Sequence, residues 1–535
     1  MSDHRSLLRS AGAISLATMV SRVLGLLRDQ VQAYFFGAGL VADAFLAAFR
    51  IPNLLRDLFA EGALSSAFVP TFTAERERAG ADSAFALANR VMTALALVLG
   101  VLAVLIAVFA PQILRVYVPG FEPSKMALAV TMTRILAPFL FFVALAAVAM
   151  GVLNTCGRFF LPALAPAWFN LAAIFGVLAL VPLFRRLGIH PGLSLAVGAM
   201  AGGVLQFLVQ VPAMRREGFR FRPELAPRDP GLNRVVRLMA PATFGLAATQ
   251  INILVDTILA SLYGNGPIAW LSYAFRLMQL PLGLFGVALG TANLARVSKD
   301  AARGDASGLR ANLAGALRAA ALLTLPATAG LVALRVPIVR LLFQHGRFGP
   351  ADTLKTASAV LCYGLGLYAY SVTKIQVPTF YALGETRRPV IASASAVGLK
   401  ISANLVLMAL LPRIGIDPFL GLALSTSLAA WSNMVILERG LARRAGALRE
   451  HAVVPTTLKL ALLSAVMGIA CGLCQAGLER FAGGGGVAGE AARLGGSVAL
   501  GIGLTAWGAH ALRLPEVEAI RARVLGRVVG GDKRL

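Results

Sequence analysis

Charged side chains are scarce in this sequence. They make up 14% of its 535 residues, and acidic residues are half as frequent as basic ones, with 25 Asp and Glu against 50 Lys and Arg. Hydrophobic residues make up 58% of the chain, far more than a soluble domain of this length needs to fill its core. This composition excludes a soluble globular protein and predicts an integral membrane protein.

Cysteine and histidine are also rare. The chain has four cysteines, and its CxxC at Cys471 and Cys474 lies in an apolar run without the second Cys or His pair that a zinc site needs. Its five histidines are scattered, and no HExxH, GxSxG or Walker A pattern occurs. The enzyme classes that use these motifs are therefore excluded, and we expect neither catalytic residues nor a bound metal centre.

Long apolar runs recur from one end of the chain to the other. Each is long enough for a helix to cross a hydrocarbon core of about 30 Å. Fourteen segments are predicted, at approximately residues 10–28, 38–60, 86–116, 126–153, 161–183, 192–214, 235–263, 267–294, 312–344, 356–382, 390–412, 418–438, 456–478 and 494–512. The predicted fold class is an all-α integral membrane protein with about fourteen transmembrane helices.

The basic residues lie mostly in alternate loops. Of the 50 Lys and Arg, 28 fall on the side that would carry both termini and the even-numbered loops. Because basic loops stay on the cytoplasmic side, both termini are predicted to be cytoplasmic. The net charge of +25 therefore reflects topology and affinity for anionic phospholipid headgroups, and nucleic acid is not expected as a partner.

The two halves of the chain resemble each other. "AFRIP" at 48–52 matches the start of "AFRLMQLP" at 274–281, and "RREG" at 215–218 matches "RRAG" at 443–446, with offsets of 226 and 228 residues. Such an offset spans six segments, an even number, so the halves have the same orientation in the membrane. We predict two six-helix lobes related by a parallel repeat, plus two extra C-terminal helices.

This repeat defines the predicted domains and the class of function. Residues 1–228 form the N-lobe with helices 1–6, residues 229–450 form the C-lobe with helices 7–12, and residues 451–535 hold helices 13–14 and a cytoplasmic tail. Two lobes with a site between them are typical of carriers that work by alternating access. A carrier is therefore favoured over a channel.

Several charged residues lie within the apolar segments. An arginine near the bilayer centre costs about 2.5 to 3.5 kcal/mol on insertion scales, so these side chains must face protein, water or a ligand. The candidates are Arg22, Arg28, Asp29, Asp43, Arg50, Arg56 and Glu61 in the first lobe, and Asp256, Arg276, Lys374 and Lys400 in the second. Clustered guanidinium groups favour phosphate or pyrophosphate, because each donates hydrogen bonds in a planar fork.

The arginine spacing leaves two interpretations open. Arg22 and Arg28 are six residues apart, as are Arg50 and Arg56, which places the members of each pair about 120° apart around an ideal helix. Both members line one cavity only if it is wide or if the helix bends, for example at Gly25. In the alternative, Arg28 and Arg56 extend to the interface and Arg22 pairs with Asp29.

Seven stretches resemble the MurJ/MviN family of lipid II flippases, in the multidrug/oligosaccharidyl-lipid/polysaccharide exporter superfamily. They are "SRVLGLLRD" (21–29), "FGAG" (36–39), "DAFLAAFRIPNLLRDLFAEGALSSAFVP" (43–70), "GVLNTCGRFFLPALAP" (151–166), "GVALGT" (286–291), "FQHGRF" (343–348) and "FYALGETRRPV" (380–390). The resemblance runs in order from the first segment to the twelfth. It implies a protein of the bacterial inner membrane that moves a lipid-linked disaccharide-pentapeptide on undecaprenyl pyrophosphate to the periplasmic leaflet.

The resemblance also implies residue roles. The arginines that are thought to engage pyrophosphate in that family correspond to Arg22, Arg28, Arg56 and Arg276, and the acids of its motifs to Asp29 and Glu61. It implies that the last two helices form a groove for the lipid tail, and that enzymes of cell-wall synthesis are possible partners. Phe275 and Gln279 depart from the family pattern, which usually has acidic residues there.

Some family members bind a sodium ion in the second lobe. The matching position is Asp256, with Asn404 and Thr426 as companions, because all three offer oxygen ligands to a hard cation. In the alternative, Asp256 is protonated by burial or pairs with a lysine. The expected cofactor is therefore none, or Na⁺ as a coupling ion.

Three further functions stay open from the sequence. The transported lipid could carry another oligosaccharide, or the chain could be a cation-coupled drug exporter of the same superfamily. A drug exporter would favour an acidic or aromatic cavity over one lined by arginine. A membrane scaffold for cell-wall enzymes would tolerate the loss of the charges inside the segments.

Overall fold

The computed structural model describes residues 2–57, 64–446, 452–481, 484 and 486–512, and these ranges form α-helices without any β-strand. The first ten helices are α1 (Ser2–Phe36), α2 (Leu40–Arg56), α3 (Leu64–Val108), α4 (Ala110–Tyr117), α5 (Pro123–Leu136), α6 (Phe139–Thr155), α7 (Phe160–Arg186), α8 (Leu193–Leu208), α9 (Val211–Arg216) and α10 (Pro230–Ser261). The next ten are α11 (Pro267–Pro281), α12 (Val287–Arg303), α13 (Ala306–Ala333), α14 (Arg335–Phe343), α15 (Pro350–Gly364), α16 (Leu367–Ala382), α17 (Arg387–Leu410), α18 (Leu420–Ala445), α19 (Val453–Phe481) and α20 (Gly486–Ala511).

The predicted all-α membrane fold is confirmed, whereas the number of spans is not. Within the described residues, nine helical stretches are long and apolar enough to cross a membrane. Each of the fourteen predicted segments nevertheless overlaps one or more helices. The stretches are fewer partly because α2 and α16 are short, at 17 and 16 residues, and because α1 carries the charges of Arg22, Arg28 and Asp29.

Helix α3 differs from the prediction at its start. It begins at Leu64, whereas the third predicted segment begins at residue 86. Gly80 has φ 87° and ψ 176°, so the backbone turns sharply there between two helical parts. The first part buries Phe68 and Phe72 against Val148 and other side chains of α6. This part was missed because its apolar run is short and ends in the charged stretch "AERERAG" at 74–80.

The chain separates into two compact units. The first comprises Met1–Ala269 with His345–Gly349, and the second comprises Trp270–Gln344 with Pro350–Leu535. Helix α10 therefore belongs to the first unit, although the repeat places it in the second lobe. The lobe boundaries at residues 228 and 450 stay a prediction.

Close helix contacts in the first unit depend on glycine. A Cβ on Gly198 of α8 would lie 3.2 Å from the carbonyl oxygen of Ala173 on α7, and one on Gly202 would lie 2.8 Å from the carbonyl oxygen of Phe169. These glycines are four residues apart, so they lie on the same face of α8. Small residues at this spacing let two apolar helices approach closely where hydrocarbon offers no hydrophobic driving force.

Helices of the second unit also approach each other closely at a glycine. A Cβ on Gly290 of α12 would lie 2.3 Å from the carbonyl oxygen of Lys374 on α16.

Between α11 and α12, residues Leu282–Gly286 form a π-helical turn, which widens the helix locally. The extra C-terminal helices α19 and α20 also belong to this unit, and Arg340 of α14 contacts Glu479 and Glu490 at 3.2 and 3.4 Å.

Candidate functional site

Arg28 is held by three groups in the first unit. Its Nε and Nη2 donate to Asp29 Oδ1 at 3.1 and 2.7 Å, and its Nη1 donates to Asn170 Oδ1 at 3.1 Å. The Phe169 ring centroid lies 5.6 Å from the guanidinium carbon, within the range of a cation–π contact. The Arg28 side chain is 14% exposed, so its position is fixed mainly by protein.

Asn170 determines how α7 meets α1. Besides accepting from Arg28, it donates from Nδ2 to the carbonyl oxygen of Ser21 at 3.0 Å, and it is 6% exposed. Both ends of its amide therefore bind α1, which fixes the register of the two helices around the arginine. Sequence reasoning missed Asn170, although an amide in the apolar segment 161–183 was a signal.

Arg56 has a similar arrangement at the end of α2. Its Nε and Nη2 donate to Asp57 Oδ1 at 3.3 and 3.0 Å, and Gln250 of α10 donates to Asp57 Oδ2 at 3.2 Å. "LLRD" occurs at both 26–29 and 54–57, and in each copy the arginine binds the aspartate that follows it. Neither Asp57 nor Gln250 could be identified from the sequence as part of this arrangement.

Three further residues of the first lobe were candidates, namely Arg22, Arg50 and Glu61. Arg22 is exposed on α1, which runs as one helix through Gly25. Arg50 is half-buried on α2. Glu61 lies outside the residues that the structure describes.

Asp43 is a structural residue. Its Oδ2 accepts from Lys125 Nζ at 2.8 Å and from the Gly266 amide at 2.7 Å, and its Oδ1 accepts from the Ala269 amide at 2.9 Å. Lys125 also donates to the carbonyl oxygen of Gly264 at 3.0 Å. The side chains of Asp43 and Lys125 are 0% and 2% exposed, so this charge faces protein alone.

Two of the charged candidates in the second unit are Arg276 on α11 and Lys374 on α16. Arg276 is half-buried on α11 and has protein contacts of its own. Phe275, one of the departures from the family pattern, packs its ring 5.3 Å from that of Tyr363, and Gln279 is exposed. Lys374 is exposed on α16.

The predicted sodium ligands belong to different units. Asp256 is half-buried on α10 of the first unit, whereas Asn404 and Thr426 are buried in the second. Thr426 Oγ1 donates to the carbonyl oxygen of Leu422 at 2.7 Å, and Asn404 Oδ1 accepts from Ser425.

Lys400 is a buried basic residue on the same face of α17 as Asn404. It lies one turn before Asn404 in the buried stripe of α17 and is 3% exposed. Asn404 and Thr426 offer only neutral oxygens, and a resident ammonium repels a second cation. By themselves, these second-unit residues do not fit a sodium ion, and the sodium site stays a prediction.

Comparison with known proteins gives one consistent result. The family model described as "Lipid II flippase MurJ" matches residues 32–485. The chain is 38% identical over 445 residues to "Lipid II flippase MurJ" of Burkholderia cenocepacia, covering 82% of this chain and 84% of that protein. It is 34% identical over 446 residues to "Probable lipid II flippase MurJ" of Vibrio cholerae, covering 82% and 83% of the two chains.

Solved structures agree with these relatives. The chain matches "Lipid II flippase MurJ, inward closed conformation" with a TM-score of 0.75 and 27% identity, covering 93% of this chain and 99% of that one. An inward-facing MATE-family multidrug resistance transporter of the MOP superfamily matches with a TM-score of 0.65 and 17% identity, covering 82% and 99%. The second likeness shows a shared fold alone.

Proposed function

Because the chain belongs to the MurJ family of lipid II flippases, we propose that it moves lipid II across the bacterial inner membrane. The proposed direction is from the cytoplasmic to the periplasmic leaflet, by alternating access. The candidate ligands of the lipid pyrophosphate are Arg22, Arg28 and Arg56 in the first unit and Arg276 in the second.

The arrangement around Arg28 carries this proposal. A guanidinium has five N–H donors, and the contacts with Asp29 and Asn170 use one on each of its three nitrogens. One N–H therefore remains on each terminal nitrogen. Hydrogen bonds from a guanidinium to phosphate oxygens are charge-assisted and strong, so these two donors are available to an anionic headgroup. Arg28 can thus bind a pyrophosphate without losing the contacts that orient it.

The paired aspartates explain how α1 and α2 tolerate their arginines without a ligand. Asp29 and Asp57 each lie beside the guanidinium they bind, with ion-pair distances of 2.7 and 3.0 Å. Pairing lowers the cost of placing each arginine in an apolar segment. An anionic headgroup then adds to a preformed site, so little side-chain ordering opposes binding.

Contacts between loops support one part of the predicted topology, that three even-numbered connections share one side of the membrane. Arg76 donates to the carbonyl oxygen of Thr155 at 3.0 Å, and Arg158 contacts Glu217 at 2.8 Å. These contacts join three connections, and the distribution of basic residues predicts that their common side is the cytoplasmic one. Partnership with enzymes of cell-wall synthesis stays a prediction from the resemblance.

The energy source follows from the charge of the transported lipid. The membrane potential supplies about 2.3 kcal/mol per elementary charge per 100 mV, so it can act directly on an anionic headgroup. We therefore propose the membrane potential as the energy source. Coupling to sodium through Asp256, Asn404 and Thr426 is the alternative.

Rescue of a flippase-depleted bacterium tests the proposed function. We expect wild-type protein to restore growth, and we expect Arg22→Ala, Arg28→Ala and Arg276→Ala to reach the membrane but fail to restore it. Arg185→Ala is the matched control, because Arg185 is exposed at the end of α7. Full rescue by all three variants would overturn the assigned roles, and failure of the wild type would overturn the function.

A further inference from the structure

The last two residues of α9 and the irregular chain that joins it to α10 form a strap in the first unit. Residues 215–229, here named the arginine strap, are fastened to α3 through backbone groups. Asn89 Nδ2 donates to the carbonyl oxygen of Arg220 at 3.0 Å, and the Arg222 amide donates to Asn89 Oδ1 at 3.0 Å. Because these bonds use only the backbone of both arginines, their side chains are left for another role.

The acidic side chains of the arginine strap are held by arginines from outside it. Arg90 of α3 donates to Glu224 Oε1 at 2.9 Å and to Asp229 Oδ2 at 2.6 Å. Arg158 donates to Glu217 Oε1 at 2.8 Å. All three acids between residues 215 and 229 are therefore occupied. They do not neutralise the basic side chains of the strap.

Those basic side chains face outward. The strap has five arginines, and all five are exposed. Between them lie two exposed apolar side chains, Phe221 at 55% and Leu225 at 62%. Phe219, in contrast, is buried against the Phe85 ring at a centroid distance of 5.8 Å. The strap therefore pairs its acids with arginines from other elements, buries Phe219, and exposes its own arginines and two apolar groups.

We propose that the outer face of the arginine strap binds anionic phospholipid headgroups, with Phe221 and Leu225 entering the boundary of the acyl chains. The strap begins where the apolar stretch Leu193–Arg216 ends, which is the level of the headgroups for a spanning helix. Arginines with interleaved apolar side chains fit this layer, because the headgroups are anionic and the acyl chains beneath them are apolar. The arginine strap thus anchors the α9–α10 connection to one leaflet, which is the cytoplasmic leaflet in the proposed orientation.

This binding does not depend on the transported substrate. The experiment therefore uses ordinary phospholipids. Phosphatidylglycerol provides the anionic headgroup and phosphatidylcholine provides a neutral reference.

Native mass spectrometry of the full chain with each phospholipid tests the proposal. The strap variant carries Arg215→Gln, Arg216→Gln, Arg220→Gln and Arg222→Gln, which leaves the Asn89 and Arg90 contacts in place. We expect wild-type protein to prefer phosphatidylglycerol, and we expect the strap variant to bind it about tenfold more weakly or worse. The control has the same charge change at exposed Arg296, Lys299, Arg303 and Arg387, each replaced by Gln, and should keep the preference.

Two outcomes would overturn the proposal. One is equal loss of phosphatidylglycerol in the strap and control variants, which would indicate a general effect of net charge. The other is a wild-type protein that binds phosphatidylglycerol and phosphatidylcholine equally well. If such a protein binds a soluble polyanion such as polyglutamate through the strap, the ligand of the strap is not a phospholipid.

Insertion of the apolar groups has its own readout. In phosphatidylglycerol vesicles that contain lipid brominated near the headgroup, Phe221→Trp should add quenched fluorescence above the wild-type tryptophan background. Asn233→Trp, exposed on α10, should add fluorescence with weaker quenching. Equal quenching at the two positions would contradict the proposed insertion.

Discussion

Asn170 on α7 accepts a hydrogen bond from Arg28 on α1 at 3.1 Å, across 142 residues of sequence. The same amide donates to the carbonyl oxygen of Ser21, so it fastens the arginine and the backbone of α1 together. The orientation of Arg28 therefore depends on a residue that carries no charge and that we do not expect to touch the ligand.

Replacing Asn170 should weaken lipid binding through Arg28. Asn170→Ala removes one of the three groups that hold the guanidinium, so we expect about tenfold weaker lipid II binding, in line with the loss of a hydrogen bond to a charged group. Asn170→Asp keeps an acceptor and should recover part of the affinity. Titration of purified protein with lipid II measures both.

The control for Asn170 is an equally buried amide elsewhere. Asn293 is 3% exposed and donates to Thr379 Oγ1 at 3.1 Å in the second unit. Asn293→Ala should lower stability by a similar amount and leave lipid affinity unchanged. Equal losses of affinity in both variants would show that Asn170 acts only through folding.

Truncating Lys125 should be strongly destabilising. Lys125→Met leaves the Asp43 carboxylate buried without its ammonium, which costs about 3 to 5 kcal/mol for a buried pair that loses one partner. Lys355→Met breaks the ion pair of Lys355 and Asp417, in which the two side chains are 38% and 39% exposed. This change should cost less than about 1 kcal/mol. Thermal unfolding in detergent compares the two, and similar losses would contradict a structural role for Asp43.

Close packing at Gly290 gives a test of the fold. A methyl group there would meet the Lys374 carbonyl oxygen at 2.3 Å, so Gly290→Ala should force α12 and α16 apart and cost about 1 to 3 kcal/mol. Gly315 of α13 has no atom within 4 Å of its ideal Cβ. Gly315→Ala should be neutral or stabilising by up to about 1 kcal/mol. The melting temperature should therefore fall in Gly290→Ala, and it should stay the same or rise in Gly315→Ala.

Sodium should have little effect on the wild-type protein if Lys400 supplies the cation near Asn404. We expect sodium and choline chloride to give the same melting temperature, whereas Lys400→Ala should acquire a sodium-dependent increase. Sodium stabilisation of the wild type, lost in Asp256→Ala, would instead support the predicted sodium site.

The sequence predicted the positions of the arginines better than their surroundings. Arg28 could be identified because a charge inside an apolar run is costly unless it faces protein, water or a ligand, and the family motif implied its role. Asn170 could not be assigned as its partner, because no local pattern tells which of many apolar helices pack together. Lys125 falls just outside the predicted segment 126–153, and its burial depends on Asp43, which lies 82 residues earlier.

The segment boundaries show the same limit. Hydropathy found every long apolar stretch, because the bilayer requires one, but it missed the first part of α3, where Phe68 and Phe72 pack in a protein core. It also could not show that α10 groups with the first unit, since the repeat relates segments by sequence and not by contact.

Binding of lipid II to purified protein tests the central claim most directly. Native mass spectrometry should show lipid II bound to the wild type and to Arg185→Ala, with affinity reduced about tenfold or more in Arg28→Ala. The same Arg28→Ala protein should unfold at nearly the wild-type temperature. Wild-type affinity in Arg28→Ala, or no lipid II bound to the wild type, would contradict the account.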